Sequence, residues 1–235
     1  MFRSLLINIS LILLSGAAFA QVADTVVVDS LTRISHRPTG VRIGTDLISL
    51  GKSQFQDDFT GWEINADIDF YRYFLALDYG SWGRTFTSDA AGNYSNDGTY
   101  WRAGIDVNFL VRDIDRNMFF IGFRYGRANF SENLNVIAFN DITQEYVTLD
   151  YAHSGIKAHW LELTSGLRVK VWKMLWMGYT ARFKFGLKYG SSENIIPADV
   201  PGYGRTEKDS YWGFNYQIFI RLPLRKQQVL IFPKK

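Results

Sequence analysis

Apolar and polar residues alternate along most of the chain from Val41 onward. In residues 61–70 every second side chain is apolar, and the side chains between them are Glu63, Asn65, Asp67 and Asp69. Because successive side chains of a β-strand point to opposite faces, this pattern predicts strands with one apolar and one charged face. A wall of such strands separates two unlike environments, since burying those acids in an apolar core would be costly.

The alternation recurs in eight segments, which we predict to be strands at residues 41–49, 61–70, 73–84, 100–110, 118–130, 157–171, 175–189 and 211–222. The connections are alternately short and long, and the long ones cover residues 50–60, 85–99, 131–156 and 190–210. This asymmetry is typical of membrane barrels. The predicted fold is therefore all-β, a membrane-spanning antiparallel eight-stranded β-barrel at residues 41–222, with short periplasmic turns and long extracellular loops.

Alternation alone does not decide which face points into the barrel, and a soluble cup with an apolar interior also fits the pattern. The apolar face carries many Trp, Phe, Tyr and Leu side chains, whereas an eight-stranded barrel is only just wide enough for side chains to fill. We therefore expect the apolar face to point outward. Hydrocarbon is the solvent that suits so large an apolar surface.

The first twenty residues have the features of an export signal. Arg3 precedes an apolar run, and small residues end the segment at Ala18 and Ala20. We predict cleavage after Ala20, followed by a periplasmic segment at residues 21–40. A periplasmic tail is predicted at residues 223–235. The chain has no cysteine, so it offers neither disulfides nor a thiolate metal site.

Aromatic residues gather at both ends of the predicted strands, as they do in the aromatic belts of membrane barrels. Aromatic residues also favour strands in general, which is the alternative explanation. The candidate membrane-interface residues are Trp62, Tyr71, Tyr73, Trp101, Trp172, Tyr189 and Trp212.

The signal peptide, the eight alternating segments and the short turns together resemble the small outer-membrane β-barrel proteins of the OmpA-barrel and OmpX type. The resemblance covers residues 41–222 and is architectural, because no short motif accompanies it. It implies an outer-membrane location with both termini in the periplasm. The chain differs from these barrels at its end, where Pro223 and a basic, apolar tail follow the last strand.

The predicted inward face is rich in charge, with most acids on the first four strands and most bases on the last four. The candidate lumen charge network comprises Asp46, Glu63, Asp67, Asp69, Asp78, Asp106, Arg102, Arg124, Glu162, Arg168, Lys170, Arg182 and Arg221. Acids and bases that pair across the bore would close it to diffusion. Separately hydrated charges are the alternative.

Signals for catalysis are weak. His159 shares its outward face with Leu161 and Leu163, which suits a lipid hydrolase at the outer rim, but no nucleophile is fixed beside it. We therefore predict no catalytic residues, no cofactor and no metal site. The chain has 26 Lys and Arg residues against 23 Asp and Glu residues and lacks a nucleic-acid-binding motif. A nucleic-acid partner is not predicted.

The expected partners are outer-membrane lipid and lipopolysaccharide, because Arg127 points outward near the rim and could meet a lipid phosphate. Residues 131–156 are too apolar for a solvated loop and predict a hairpin that extends beyond the membrane. This hairpin and the terminal segments could dock on outer-membrane or periplasmic proteins, or the hairpin could cap its own barrel. The sequence thus predicts a closed, non-catalytic scaffold or accessory subunit. A lipid-modifying hydrolase and a small-solute channel are the alternatives.

Overall fold

A closed antiparallel barrel dominates the computed structural model, which describes residues 26–28, 37–88, 92–113, 115–141, 144–190, 197–225 and 228–230. The barrel strands are β1 (Gly40–Asp46), β2 (Phe59–Phe70), β3 (Tyr73–Ser88), β4 (Gly92–Asn108), β5 (Met118–Asn140), β6 (Glu145–Trp172), β7 (Leu175–Gly190) and β8 (Ser210–Pro223). Each strand pairs with its neighbours in the sequence, and β8 pairs with β1. The predicted eight-stranded antiparallel barrel is confirmed.

The two ends of the barrel differ in their connections. At the short-turn end, residues 71–72, 109–117 and 173–174 join successive strands. Pro223 lies opposite Gly40, so the chain enters and leaves the barrel at this end. The other connections define the long-loop end. The predicted export signal at residues 1–20 lies outside the described residues.

The first long connection contains a helix, α1 (Leu47–Phe55). The prediction of a strand through residue 49 is wrong in its last part, because Asp46 caps this helix. Its carboxylate accepts hydrogen bonds from the backbone N–H of Ser49 at 3.1 Å and of Ile48 at 3.4 Å. Such a cap satisfies backbone donors that the first turn of a helix leaves unpaired. No helix among the described residues is long and apolar enough to cross a bilayer.

Strands β3 to β6 extend further than the sequence predicted. Most of residues 85–99, expected to be a loop, continue the ladder between β3 and β4. Residues 131–156 form the far part of the β5–β6 hairpin, with a bulge between Phe130 and Glu132. Both faces of a hairpin that extends beyond the barrel body can contact water, so polar residues occur on both faces. The alternation that predicts a strand is therefore weak in these segments.

The two faces of the barrel wall have opposite character. On β2, Glu63, Asn65 and Asp67 are buried, whereas Trp62 and Ile64 between them are exposed. The charged face therefore points into the bore and the apolar face points away from it. This arrangement inverts the usual distribution of a soluble protein, in which large apolar side chains are most often buried.

Two short sheets lie outside the barrel ladder. Asp199–Val200 pairs with Gly204–Arg205 in an antiparallel bridge within the last long connection. Val26–Val28 pairs in parallel with Gln228–Leu230, within a compact unit distinct from the barrel unit of residues 33–224. The terminal segments therefore pair with each other.

Glycines on the inward face make room for large side chains on neighbouring strands. Gly126 is the clearest case, because a β-carbon there would lie 2.3 Å from the ring of Trp160. The Trp160 side chain is completely buried. Its ring therefore has little freedom to move aside.

We predict that Gly126→Ala destabilises the barrel by about 1–3 kcal/mol, the usual range for overpacking a filled interior. The thermal midpoint of the folded band on a semi-native gel measures the effect. Gly190→Ala is the matched control, because a β-carbon at Gly190 meets no atom within 4 Å. Equal midpoints for the two variants would contradict the tight contact with Trp160.

Candidate functional site

The interior of the barrel holds a charge-balanced cluster, which we call the charge network. Each of its members is less than 5% exposed. Among the described residues it comprises five bases and five acids: Arg42, Arg102, Arg124, Arg168, Arg182, Glu63, Asp67, Asp78, Asp106 and Glu162. Charges so deeply buried require close partners of opposite sign.

Toward the short-turn end, guanidinium and carboxylate groups alternate in a continuous chain. Asp67 accepts hydrogen bonds from Arg42 at 2.8 Å and from Arg168 at 2.6 Å. Arg168 also donates to Asp106 at 3.3 Å, and Asp106 accepts from Arg124 at 2.8 Å. Each charged side chain in this series contacts two side chains of opposite charge. The exception is the first, Arg42, which contacts one carboxylate and the aromatic layer described below.

In the middle of the barrel, Asp78 connects three arginines. Arg124 donates a hydrogen bond to its carboxylate, Arg182 donates at 3.1 Å, and Arg102 Nε lies 3.4 Å away. Arg182 on β7 thus contacts Asp78 on β3, on the opposite side of the bore. It also donates a hydrogen bond to Glu162 on the neighbouring strand β6 at 3.0 Å. The network therefore links strands on opposite sides of the barrel.

Toward the long-loop end, the network ends on hydrogen bonds from aromatic side chains. Glu63 accepts from Arg102 and, at 2.6 Å, from the hydroxyl of Tyr100. Glu162 accepts from the indole N–H of Trp160 at 2.8 Å. These aromatic residues satisfy the remaining carboxylate oxygens and begin an apolar layer.

A layer of aromatic rings closes the short-turn side of the network. The guanidinium carbons of Arg42 and Arg168 each lie within 5.3 Å of the centroids of two rings, in cation–π geometry. Beyond this layer Arg221 pairs with Asp69 at 2.6 Å and donates to Thr39 at 2.9 Å. The four rings are those of Phe74, Phe120, Trp176 and Phe219.

The last long connection folds into the other half of the bore. Residues 197–205, which we call the plug loop, place Val200 and Tyr203 in completely buried positions. Tyr203 packs edge-on against Trp160, with 5.8 Å between ring centroids. The plug loop belongs to one apolar cluster with Tyr100, Ala128, Phe130, Ile156, Ala158 and Trp160.

Polar contacts hold the plug loop in place. Lys184 Nζ donates to the backbone carbonyls of Gly202 and Tyr203, each at 2.8 Å. Asp199 accepts from the indole N–H of Trp82 at 2.9 Å, and one of its oxygens lies 3.5 Å from Arg84. Burial raises the pKa of the Asp199 carboxyl, and the charge of Arg84 acts against this shift.

Four residues predicted for the charge network lie outside it. Asp69 and Arg221 form the separate pair beyond the aromatic layer, and Asp46 and Lys170 have other surroundings. Asp46 is buried but serves as the cap of α1, and it also accepts from the backbone N–H of Tyr216 at 3.0 Å. Lys170 is exposed and forms no ion pair with a described residue. It lies at the end of β6, beside a register irregularity before Trp172, where its side chain reaches solvent. The predictions for Asp46 and Lys170 are therefore wrong.

Five of the predicted membrane-interface residues lie exposed on the outer wall: Trp62, Tyr73, Trp101, Trp172 and Trp212. Tyr71 lies in the β2–β3 turn with a φ of 65°. The prediction for Tyr189 is wrong, because its ring packs against the interior apolar cluster. A bulge at Gly186, where φ is 65°, reverses the alternation in the last part of β7.

The histidine considered for catalysis lies on the outer wall. His159 faces Arg127 on β5 and Lys188 on β7, and its ring centroid is 6.2 Å from that of Tyr125. None of these three neighbours is a serine, threonine or cysteine, the residues whose hydroxyl or thiol a histidine base commonly activates. The arrangement is a row of basic and aromatic side chains.

A comparison with protein families matches residues 1–227 to a family described as "Domain of unknown function (DUF6048)". The chain belongs to this DUF6048 family. No curated protein matches its sequence.

Solved structures similar to the DUF6048 chain share little sequence with it. CarO of Acinetobacter baumannii is 13% identical, with a TM-score of 0.39 over 81% of this chain and 100% of CarO. Ail, the attachment invasion locus protein of Yersinia pestis, solved with a heparin analogue, is 9% identical, with a TM-score of 0.38 over 79% and 98%. The N-terminal β-barrel domain of Pseudomonas aeruginosa OprF is 10% identical, with a TM-score of 0.32 over 79% and 100%. These likenesses carry no argument about function.

Two parts of the DUF6048 interior were not predicted from the sequence. Arg42 joins the charge network from β1, although most bases come from the second half of the barrel. The plug loop was also missed, but residues 197–204 offered a signal. They combine Pro197, Pro201 and two glycines with the apolar side chains of Val200 and Tyr203, which a solvated loop does not need.

We predict that Arg182→Met lowers the stability of the DUF6048 barrel by about 3–5 kcal/mol, because it leaves the charge-balanced network with one uncompensated buried negative charge. Asp78 and Glu162 would each lose an arginine. The thermal midpoint of the folded band on a semi-native gel measures the loss. Lys52→Met removes an exposed base from α1 and serves as the control. An unchanged midpoint for Arg182→Met would contradict the role of the pairing.

Proposed function

We propose that this protein is an integral outer-membrane β-barrel that is closed and non-catalytic, and that it acts as a structural scaffold or accessory subunit of an envelope complex. The charge network carries the proposal, because paired charges occupy the middle of the bore. Separate observations support the membrane insertion, the orientation, the closed bore and the scaffold role.

The outer wall supports membrane insertion. Its apolar side chains form a continuous band, and each of the following is between 43% and 52% exposed: Ile64, Leu75, Leu77, Ile105, Ile121, Phe123, Leu163, Leu167 and Phe214. An apolar surface of this extent is not stable in water, whereas hydrocarbon removes the cost. The closed ladder pairs the backbone groups that hydrocarbon could not satisfy.

The connections support an orientation with both chain ends in the periplasm. Tight turns on one side and long connections on the other match the topology of outer-membrane barrels. In this orientation the short-turn end faces the periplasm, and α1, the plug loop and the β5–β6 hairpin face the exterior. The segments predicted at residues 21–40 and 223–235 are then periplasmic.

Three stacked layers support a closed bore. The aromatic layer, the charge network and the plug loop with its apolar cluster succeed one another along the barrel axis. An eight-stranded barrel leaves little space that side chains do not fill. A solute would have to displace paired charges whose separation is costly.

The far part of the β5–β6 hairpin supports the scaffold role. Leu149 and Tyr151 on β6 are about two-fifths exposed, and they face Val136 and Leu134 on the same side of the hairpin. An exposed apolar face on a projecting hairpin suits contact with another protein. A barrel that offers such a face is suited to assembly with another protein.

We predict that the purified protein produces no single-channel steps in planar bilayers. A variant in which a Gly-Ser linker replaces residues 197–205 should also be silent, because the charge network closes the remaining half of the bore. Incorporation is checked by a heat-modifiable folded band from the same bilayer lipid, and a porin serves as the positive control. Steps from the wild-type protein would contradict the closed bore.

We also predict that lipids incubated with the folded protein keep their mass profile. His159→Gln is the matched variant, because it removes the imidazole on the outer wall. Identical profiles for wild type, variant and protein-free vesicles are expected. A product formed by the wild type and missing with His159→Gln would establish the hydrolase alternative instead.

A further inference from the structure

A cluster of basic side chains occupies the outer wall of three adjacent strands near the long-loop end. Arg127 on β5 lies opposite His159 on β6, and His159 lies opposite Lys188 on β7. Lys157, two residues before His159, is on the same face of β6. All four side chains are exposed. Since neighbouring strands are about 4.8 Å apart, the cluster extends over roughly 10 Å of wall.

A β-bulge completes this cluster. In uninterrupted alternation with Arg182 and Lys184, Lys188 would point into the bore, as the sequence pattern predicted. The bulge lies where Leu161 pairs with Phe185 and His159 pairs with Lys188, so β7 contains one extra residue. Bulges of this kind re-aim side chains and are frequent beside functional sites. Here the bulge brings Lys188 out beside His159.

The cluster lies at the boundary of the apolar band. On the side of the short turns, the same wall continues with Tyr125, Phe123 and Leu163, which are exposed and apolar or aromatic. Trp101 packs against Tyr125 with 5.7 Å between ring centroids. Aromatic residues at this position mark the level at which acyl chains give way to headgroups.

Within the part of the chain that the structure describes, no carboxylate compensates the charge of the cluster. None of Arg127, Lys157, His159 and Lys188 forms an ion pair with a carboxylate of the described residues. The wall elsewhere near this level presents aromatic side chains, such as Trp62 on β2 and Trp212 on β8. On the described barrel strands, the outward bases at this level are therefore confined to one sector, which favours a discrete ligand over a general attraction to headgroups.

We propose that Arg127, Lys157, His159 and Lys188 bind the phosphate groups of the glycolipid of the outer leaflet, the lipid A part of lipopolysaccharide. Its acyl chains would lie along the apolar band beneath the cluster. A rigid headgroup with a pair of phosphates fits a cluster that extends over three strands better than the single phosphate of a phospholipid does. This inference rests on the proposed function, because it requires the barrel to lie in an outer membrane.

The test is native mass spectrometry of the folded protein in detergent with three added lipids: lipid A, dephosphorylated lipid A and phosphatidylglycerol. We expect lipid A to bind at least about tenfold more tightly than the other two, and Arg127→Gln/Lys188→Gln to lose on the order of tenfold in affinity for it, since each base near a charged lipid surface contributes substantially. The two substituted side chains are exposed, so the folded band on a semi-native gel should be unchanged.

Lys52→Gln/Lys208→Gln is the matched control, because it removes two exposed bases from the long-loop end without altering the wall. It should bind lipid A as the wild type does. Equal binding by Arg127→Gln/Lys188→Gln, an equal loss in the control, or equal binding of dephosphorylated lipid A or phosphatidylglycerol would each overturn the assignment. Insertion of the wild-type protein into vesicles is measured separately in the same preparation. Failure to insert would overturn the proposed function instead.

Discussion

The rest of the structure depends on the requirement that charges in a narrow bore be paired. Removing a carboxylate or a guanidinium from water costs several kcal/mol unless partners of opposite charge surround it. In this barrel Asp67, Asp78 and Asp106 each contact two or three arginines. The arginines are suited to this role because their planar groups donate in several directions at once. The paired charges therefore lie inside the barrel, and apolar residues form the outer wall.

This constraint also explains the arrangement of the layers on either side. Arg42 and Arg168 at one edge of the network have aromatic faces as neighbours, which accept cations without competing for the carboxylates. At the other edge, Tyr100 and Trp160 donate hydrogen bonds to Glu63 and Glu162 and turn their rings toward the plug loop. Side chains with both a polar and an apolar part thus lie between the charge network and the apolar cluster.

The fold could be predicted from the sequence because alternation with a period of two encodes both the strand and its two faces. The same regularity explains the errors. A single extra residue at Gly186 reversed the phase, so the prediction for Tyr189 placed it on the wrong side of the wall. Asp46 was assigned to the bore because the alternation does not indicate that α1 begins directly after it. The partner of each charge depends on register between distant strands, which local patterns do not contain.

Several hydrogen bonds attach the main chain of the plug loop to the barrel. Lys184 binds two backbone carbonyls, and Asn96 donates to the backbone carbonyl of Asp199 at 2.6 Å. Every amino acid supplies such a carbonyl, so these anchors do not depend on which side chains the loop carries. Arg205 at the end of this loop and Glu207 just after it are exposed, and exposed residues here can consequently diverge during evolution while these main-chain anchors are preserved. A surface presented to the exterior would then be free to vary without altering the barrel.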